Sequence, residues 1–470
     1  MPFTDLLTET RAEHSIPIEV MPAGILERGD TLSATEQAWV RASGFNGAPG
    51  TMVMLPDAGG QPARILIGAD DAMPQANDPW WLAGAAEGLP AGDYHLATVL
   101  PEDVRSAGSI GWCLAQYRFD LYKSKDGTRK GPRRLHVTAG ERTAALNRAE
   151  AVALTRDLVN TPTEHMGPAQ LQSAVETLAA DHDADVQVIA GDNLLDSGFP
   201  LIHAVGRAAA ADRTPRLIEL TWGRADAPKL ALVGKGVCFD TGGLNLKPGR
   251  SMALMKKDMG GAAHALGLAS LIMAEKLDIR LHLLIPAVEN AVSGNAFRPG
   301  DILASRKGLS VEIGNTDAEG RLILADALTF ACEGTPDLLI DFATLTGAAR
   351  VALGPDLPAT FTDDESLWHG LEAAAQGTGD PLWRLPMWAP YESDFASDVA
   401  DMNNISEGGF AGAIIAALFL KAFVTPTVPW THLDVFAWRP AAKPGRPKGG
   451  AAQGVLAAFE TIKTRLLSDD

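Results

Sequence analysis

The chain has 470 residues, of which 46% are hydrophobic and 21% charged, a composition ordinary for a globular protein and a length that predicts two or three domains. Its formal net charge of −18 repels nucleic acid and anionic membranes at long range, so neither is expected as a partner. Three scattered cysteines, the absence of an apolar leader and the lack of any window of about 18 apolar residues favour a cytoplasmic protein without a disulfide framework.

Up to about Gly140, short apolar runs alternate with turn residues and alanine-rich stretches, which predicts a small α/β domain. We place this domain at residues 1–145. Its predicted strands are Ile16–Met21, Thr51–Leu55, Ala63–Gly68, Tyr94–Leu100 and Arg134–Thr138, and alanine-rich helical stretches, notably Asp78–Glu87, are predicted between some of them. The basic run Lys123–Arg134 is interpreted as a solvated loop, because no aromatic residues interleave for base stacking.

The rest of the chain, residues 146–470, is predicted to be a larger α/β domain with a mainly parallel central sheet covered by helices. A helix over Glu141–Val159 leads into it and ends before Pro162. The predicted strands are Val186–Ala190, Leu217–Trp222, Leu230–Val233, Leu281–Ile285, Leu309–Ile313, Leu338–Phe342 and Trp430–Val435. Amphipathic helices are predicted at Met259–Leu277, Arg321–Cys332 and Ala411–Phe423.

Ligands of such folds gather beyond the carboxyl ends of the strands. Three predicted strands are followed directly by residues that carry chemistry, namely Leu230–Val233, Leu309–Ile313 and Leu338–Phe342. The residues that follow them, in the same order, are Lys235 with Asp240, Asp317 with Glu319, and Thr344–Gly347. We therefore expect three strand ends of one sheet to converge on one site.

Two glycine-rich stretches, Val233–Gly261 and Gly314–Leu322, carry candidate metal ligands. They contain four carboxylates in otherwise apolar sequence, Asp240, Asp258, Asp317 and Glu319. Such charge is buried only beside a cation. Carboxylates without cysteine or histidine suit Mg, Mn or Zn. We predict a pair of divalent ions, the arrangement that clamps an attacking and a leaving oxygen.

Three of the basic residues in the same stretches, Lys235, Lys247 and Arg321, are candidates for a role at the site. Lys235 either forms a salt bridge with Asp240 or, with its pKa lowered beside dications, coordinates a metal as a neutral amine. Lys247 and Arg321 either neutralise leftover charge or face the substrate. In the second case the lysine would donate to a developing oxyanion, and the arginine would present its fork to a carboxylate or bicarbonate. The residues by themselves leave these alternatives open.

Several common site designs are not expected. The chain has no GxxxxGK[ST] phosphate loop, no HExxH zinc motif and no GxSxG nucleophile motif. Three further readings are open at this point. A two-metal phosphoesterase would commonly use histidine ligands, which both stretches lack. A DNA-binding architectural protein is disfavoured by the net charge, and a catalytically inactive scaffold would be free to lose site residues.

The stretch Asn315–Leu322, NTDAEGRL, is identical to the signature of the leucyl aminopeptidase family, the two-metal cytosolic aminopeptidases, and the chain resembles that family from about Glu150 to its end. Further segments occur in the family's order, namely VGKGVCFDTGGLNLKP, MKKDMGGAA, DFATLTGA, SDVADMNN, GGFAGAIIAALFL and WTHLD. Two departures are Thr241, where serine is usual, and Gln453, which interrupts a GATG pattern. Neither departure changes a candidate ligand.

The resemblance implies a role for each candidate residue. One metal would be held by Lys235, Asp240, Asp258 and Glu319, and the other by Asp240, Asp317 and Glu319. Lys247 would polarise the scissile carbonyl, and Arg321 would hold a bicarbonate that acts as general base. The substrate would be bound by Met255, Thr344, Leu345 and Gly347, with Met255 in the pocket for the first side chain.

The resemblance also implies the activity. The family are exopeptidases that remove leucine and other apolar residues from peptide N-termini, with Zn or Mn, or else Mg or Co, as the two ions. By the same resemblance, a water held by the two metals would attack the carbonyl, and one metal would bind the free α-amino group. Similar proteins are homohexamers, and residues 1–145 are expected to serve assembly or regulation.

Overall fold

The computed structural model describes residues 3–24, 32–70, 73–124 and 131–467. The chain forms two compact units. The first contains Met1–Ala153, Gly377–Gly379 and Ala441–Lys448, and the second contains Leu154–Gln376, Asp380–Pro440 and Gly449–Asp470. Within the described residues, no helix is long and apolar enough to cross a membrane.

The first unit is built on a six-stranded sheet. Its strands are β1 (Leu7–Thr8), β2 (Ile16–Pro22), β3 (Met52–Pro56), β4 (Pro62–Ala69), β5 (Gly92–Leu96) and β6 (Arg133–His136). They are ordered β1-β6-β5-β2-β4-β3, and every pair is parallel except β3 with β4. The helices are α1 (Ala34–Ser43), α2 (Ala83–Gly88), α3 (Glu102–Leu114) and α4 (Ala139–Asn160), the last of which continues past residue 153.

Alternation along β2 explains why this sheet is covered on both faces. Met21 packs in a cluster with Val40 of α1, whereas its neighbour Val20 packs with Val104 of α3. Successive strand residues point to opposite faces, so the two helices lie on opposite sides of the sheet. The result is the small α/β arrangement predicted from the sequence.

Two predictions for this unit differ from the structure or are not covered by it, namely the helix at Asp78–Glu87 and the loop at Lys123–Arg134. The helix predicted at Asp78–Glu87 begins only at Ala83, because the Asp78 carboxylate accepts the Trp80 N–H at 2.9 Å in a local turn. Residues 125–130 of the basic run lie outside the described residues. Its interpretation as a solvated loop stays a prediction.

The second unit contains the central sheet. Its strands are β7 (Asp185–Ala190), β8 (Arg216–Trp222), β9 (Lys229–Gly234), β10 (Gly236–Asp240), β11 (Arg280–Asn290), β12 (Ile302–Ala304), β13 (Ser310–Glu312), β14 (Leu338–Ala343), β15 (Ala359–Phe361), β16 (Trp383–Arg384), β17 (Met402–Asn403), β18 (Trp430–Asp434), β19 (Trp438–Arg439) and β20 (Gly449–Gly450). The central sheet is ordered β16-β15-β18-β14-β9-β11-β8-β7, with β10 beside the end of β11. Its middle strands β18, β14, β9 and β11 are parallel neighbours, which confirms the mainly parallel sheet.

The helices of this unit cover both faces of the sheet. They are α5 (Pro168–Asp181), α6 (Asn193–Asp196), α7 (Pro200–Gly206), α8 (Gly249–Met252), α9 (Gly260–Ala274), α10 (Glu319–Glu333), α11 (Gly347–Leu353), α12 (Glu365–Thr378), α13 (Gly412–Lys421) and α14 (Val455–Leu466). On β14, Phe342 stacks against His264 of α9, whereas Leu339 and Ala343 belong to a core cluster with residues of α10. The strand alternation therefore places α9 and α10 on opposite faces.

The expected amphipathic character is wrong for α9. All of its residues except Ser270 and Ala274 are buried. The helix packs on β9 and β14 with one side and against α14 with another, so that both sides are covered. Alanine and glycine dominate the helix, and their small size allows close packing on both sides. A helix with a single apolar stripe would be covered on one side only.

The expected position of one strand is also wrong. The strand predicted at Leu309–Ile313 is β13, and it lies in a separate three-stranded sheet ordered β12-β13-β17. Strand β13 pairs with β12 in antiparallel orientation at one edge and with β17 in parallel orientation at the other. Neither edge is therefore free to pair with the central sheet. The third strand end of the central sheet at the candidate site belongs to β18.

Candidate metal centre

The parallel neighbours β9, β14 and β18 end at one edge of the central sheet and carry polar residues there. Lys235 follows β9, and its N–H donates to Phe342 O of β14 at 3.0 Å. Thr344 follows β14, and Asp434 is the last residue of β18. Strand β10 ends at Asp240 beside the same edge. The strand order therefore brings these residues together, as expected for this class of fold.

The predicted ligands form one charged cluster. One oxygen each of Asp240, Asp317 and Glu319 lies within 4.8 Å of the others. Lys235 Nζ forms ion pairs with two of the carboxylates, Asp258 Oδ2 at 2.7 Å and Glu319 Oε1 at 2.9 Å. The salt bridge between Lys235 and Asp240, one of the two alternatives considered for this lysine, is not its pairing here.

Lys247 belongs to the same cluster. Its Nζ atom lies 2.8 Å from Asp240 Oδ2 and 2.5 Å from Asp317 Oδ1. The side chain is 14% exposed and therefore retains some access to solvent. A lysine in this position can reach a substrate oxygen that approaches the carboxylates from the solvent side.

Two glycines make room for this arrangement. A Cβ atom on Gly320 would lie 2.4 Å from Lys235 Cε, so a side chain there would displace the lysine. Gly242 has a φ of +86°, which disfavours other residues, and its N–H donates to Asp240 Oδ1 at 2.8 Å. The glycine-rich character of both stretches thus follows from the close approach of ligands and backbone.

Burial and the repulsion between neighbouring carboxylates raise the pKa values of Glu319 and Asp317. Burial first, and then the charge of Asp240, raises the pKa of Glu319 to about 8 and the pKa of Asp317 to about 6. Burial alone would lower the pKa of Lys235, but Asp258 and Glu319 outweigh it and raise that pKa. Added divalent cations would act in the opposite direction on all three groups. The pKa of Lys235 must fall in this way before its neutral amine can coordinate a metal.

The donor set fits divalent cations. Glu319 Oε2 is buried and has no hydrogen-bond partner among the described residues. A buried carboxylate oxygen without a partner is costly unless a cation binds it. Glu319 also opens α10, where the helix dipole favours a negative group. The hard oxygen ligands are those that Mg, Mn and Zn accept.

Arg321 lies two residues after Glu319 in α10, and burial lowers its pKa to about 10. Its Nη1 donates to Asn404 O at 2.7 Å, and its Nε is buried without a hydrogen-bond partner in the described part of the chain. An unpartnered buried guanidinium N–H fits a small anion such as bicarbonate.

Of the residues predicted to bind substrate, Thr344 lies beside the cluster. Thr344 Oγ1 donates to Asp258 Oδ1 at 2.9 Å and is the member of this set that contacts a predicted ligand directly. Leu345 is half-buried and Gly347 is the exposed first residue of α11. Met255 begins the 3₁₀ helix Met255–Met259 that carries Asp258. Leu345 and Gly347 follow Thr344 along the chain, and Met255 precedes Asp258 by three residues.

Asn404 holds the ligand loop and was given no role in the sequence analysis. Its Oδ1 accepts the Gly314 and Asn315 N–H groups at 2.8 and 3.2 Å, and its Nδ2 donates to Asn315 O at 2.7 Å. Its carbonyl is the acceptor for Arg321. The motif SDVADMNN, which ends at Asn404, could have marked this residue as functional. The motif does not show, however, that Asn404 contacts the segment at Gly314 and Asn315.

Two further residues orient the site and were likewise missed. Asn290, opposite Asp240 in the β10–β11 register, donates from Nδ2 to Asp240 Oδ1 at 2.9 Å. Asp434 accepts the Leu345 N–H at 3.0 Å and the Thr346 hydroxyl at 2.6 Å. Such contacts fix the rotamer of a ligand and the path of a loop.

Comparisons with known proteins cover nearly the whole chain. The cytosol aminopeptidase family, catalytic domain, matches residues 153–459, and the M17 aminopeptidase, N-terminal domain, matches residues 16–131. A probable cytosol aminopeptidase of Geobacter sp. strain M21 is 37% identical over 500 aligned residues, covering 98% of this chain and 99% of the relative. That of Roseiflexus castenholzii is 40% identical over 384 residues, 78% of each chain.

Solved structures agree with these relatives. The cytosol aminopeptidase from Coxiella burnetii matches with a TM-score of 0.92 and 44% identity over 98% of this chain and 99% of its own. The bottromycin maturation enzyme BotP in complex with Mn matches with a TM-score of 0.86 and 34% identity over 96% and 99%. The chain therefore belongs to the cytosol aminopeptidase family and is a metal-dependent hydrolase that removes residues from the N-termini of peptides.

Proposed function

We propose that this aminopeptidase prefers leucine and other apolar first residues and works with two divalent ions, Zn or Mn, or alternatively Mg or Co. The observation that carries the proposal is the buried carboxylate cluster beside Thr344, in which Glu319 Oε2 lacks a partner among the described residues. BotP, a structural relative, is described in complex with Mn. Lys235, Asp240, Asp258 and Glu319 would hold one ion, and Asp240, Asp317 and Glu319 the other.

The chain's own residues have separate tasks in this proposal. Bound ions would supply Lewis acidity and a bound bicarbonate a proton acceptor. Lys247 donates from Nζ to the carbonyl oxygen as negative charge develops on it, which is where a donor has its largest effect. Arg321 holds the bicarbonate through its unpartnered Nε. Thr344, Leu345 and Gly347 orient the peptide backbone, and Met255 contacts the first side chain.

The experiment compares Leu-Gly-Gly, Gly-Gly-Gly and N-acetyl-Leu-Gly-Gly by amino-acid release. We expect kcat/KM for leucine to exceed that for glycine by about 10- to 100-fold, because burying a leucine side chain contributes about 1.5–3 kcal/mol. The acetylated peptide should resist cleavage, since its amine is blocked. Equal cleavage of all three peptides would contradict the proposal. Hydrolysis of p-nitrophenyl phosphate without peptide cleavage would point to a phosphoesterase.

Three further expectations rest on the family resemblance. We propose a homohexamer, a cytoplasmic location in keeping with the name of the relatives, and an assembly or regulatory role for residues 1–145. The relatives match along both parts of the chain, which supports the same overall organisation.

A further inference from the structure

Two basic side chains flank one aromatic ring next to the predicted substrate loop. Lys257 Nζ lies 5.4 Å and Arg350 Cζ lies 5.0 Å from the centroid of the Phe436 ring. Because both distances are measured to the same ring, the two charges are no farther apart than about 10 Å, about one Debye length at 0.1 M salt. Two like charges at such a separation repel each other, and both attract an anion that approaches the ring.

The charges of Asp258 and Asp434 act on Lys257, but neither cation has an ion pair shorter than 3.7 Å with a described carboxylate. The Lys257 side chain is 7% exposed, its ammonium group makes no hydrogen bond to a described residue, and its ion pair with Asp258 Oδ1 is long, at 3.7 Å. Arg350 is exposed and has no ion pair among the described carboxylates. Asp258 already contacts Lys235 at 2.7 Å and is a proposed metal ligand. An anion from outside the chain would stabilise a buried ammonium in this condition.

The backbone beside the Phe436 ring is held in place. Ala437, the residue after Phe436, has a φ of +58° and donates its N–H to Gln453 Oε1 at 2.9 Å. Gln453 is buried, and its Nε2 donates to Pro355 O at 3.0 Å. The departure from the family pattern at Gln453 therefore fixes the backbone that presents the ring.

The cation pair lies where the side chain of the first peptide residue is expected. Lys257 stands between Met255, predicted to line the pocket for that side chain, and the predicted ligand Asp258, on one short 3₁₀ helix. A Cβ atom built on Gly347 would lie 3.9 Å from Arg350 Nη2, so the guanidinium lies beside the predicted substrate loop. Both charges thus border the place where the peptide's amino end would be bound.

We propose that Lys257 and Arg350 bind the side-chain carboxylate of an acidic first residue, so that the enzyme releases N-terminal glutamate as well as apolar residues. The Phe436 ring contacts the methylene groups of glutamate, as it would a leucine side chain. The two cations give the carboxylate charge-assisted hydrogen bonds. Glutamine has the same shape without the charge and is the matched comparison. This inference rests on the proposed aminopeptidase function.

The test compares kcat/KM for the p-nitroanilides of glutamate, glutamine and leucine. Wild type should favour glutamate over glutamine by at least about tenfold, which corresponds to about 1.4 kcal/mol. Lys257→Met should lower this ratio about tenfold, and the exposed Arg350→Met about threefold. Lys257→Arg keeps the charge and should keep the preference. Arg224→Met, which removes an exposed guanidinium paired with Asp278, is the control that leaves the ratio unchanged.

A binding measurement separates this inference from catalysis. Calorimetry with the products L-glutamate and L-glutamine should show the same loss of discrimination in Lys257→Met. A wild-type enzyme that cleaves the leucine substrate but takes glutamate no faster than glutamine overturns the inference and leaves the proposed function standing. An unchanged ratio in both Lys257→Met and Arg350→Met also overturns it. If no leucine is released at all, the proposed function fails, and calorimetry still decides whether the cations bind the carboxylate.

Discussion

Replacement of Asp258 by asparagine is expected to reduce leucine release at least about 1,000-fold while the protein stays folded. Asparagine has the shape of aspartate and can still accept the Thr344 hydroxyl, which lies 2.9 Å from Oδ1. It lacks the negative charge that faces Lys235 and that would hold a metal ion. Loss of that ion removes several kcal/mol of transition-state stabilisation.

The measurement for Asp258→Asn is kcat/KM on a leucine peptide, together with thermal unfolding followed by circular dichroism. Asp226→Asn is a matched control, because Asp226 is 80% exposed and lies 3.8 Å from Arg224 in the same unit. The control should keep wild-type activity. An Asp258→Asn enzyme that retains more than about a tenth of wild-type activity would show that Asp258 is not a ligand.

Replacement of Lys247 by methionine is expected to lower kcat by about 100- to 1,000-fold with little change in KM. Methionine fills a similar volume but cannot donate to the oxygen of the attacked carbonyl. It also leaves Asp240 and Asp317 without the ammonium group that lies within 2.8 Å of both. The separation of kcat from KM distinguishes an interaction made in the transition state from one made with the bound substrate.

Steady-state kinetics of Lys247→Met and Lys247→Arg test this assignment. Arginine keeps the charge but is larger and differently hydrated, so only partial recovery is expected. If Lys247→Met instead raised KM and left kcat unchanged, the lysine would bind the substrate rather than stabilise the developing charge. That outcome would fit the simpler alternative in which Lys247 only balances the carboxylates.

The central strands could be predicted from sequence because they are continuous apolar runs. Strand β9 is buried from Leu230 to Gly234, and such runs between turn residues are typical of parallel strands covered on both faces. Their carboxyl ends then located Lys235 and Thr344 correctly. In contrast, the place of β13 depends on pairing with β12 and with β17, which lies about 90 residues away in sequence. A short apolar run does not reveal such a partner.

The salt-bridge partners of Lys235 could not be predicted from the sequence either. Spacing favoured Asp240 as the salt-bridge partner of Lys235, but Asp258 and Glu319 are the residues that contact it. Two short segments, Gly377–Gly379 and Ala441–Lys448, group with the first unit, although they lie far along the chain. Contacts of this kind depend on three-dimensional packing, and local pattern carries no signal for them.

The metal content of the purified enzyme tests the central claim most directly. Elemental mass spectrometry of active wild-type protein should find two divalent ions per chain, and fewer in Asp258→Asn. A chelator should remove the ions together with leucine release, and Mn, Zn, Mg or Co added singly should show which metal restores it. Active protein that contains no stoichiometric divalent metal would contradict the account.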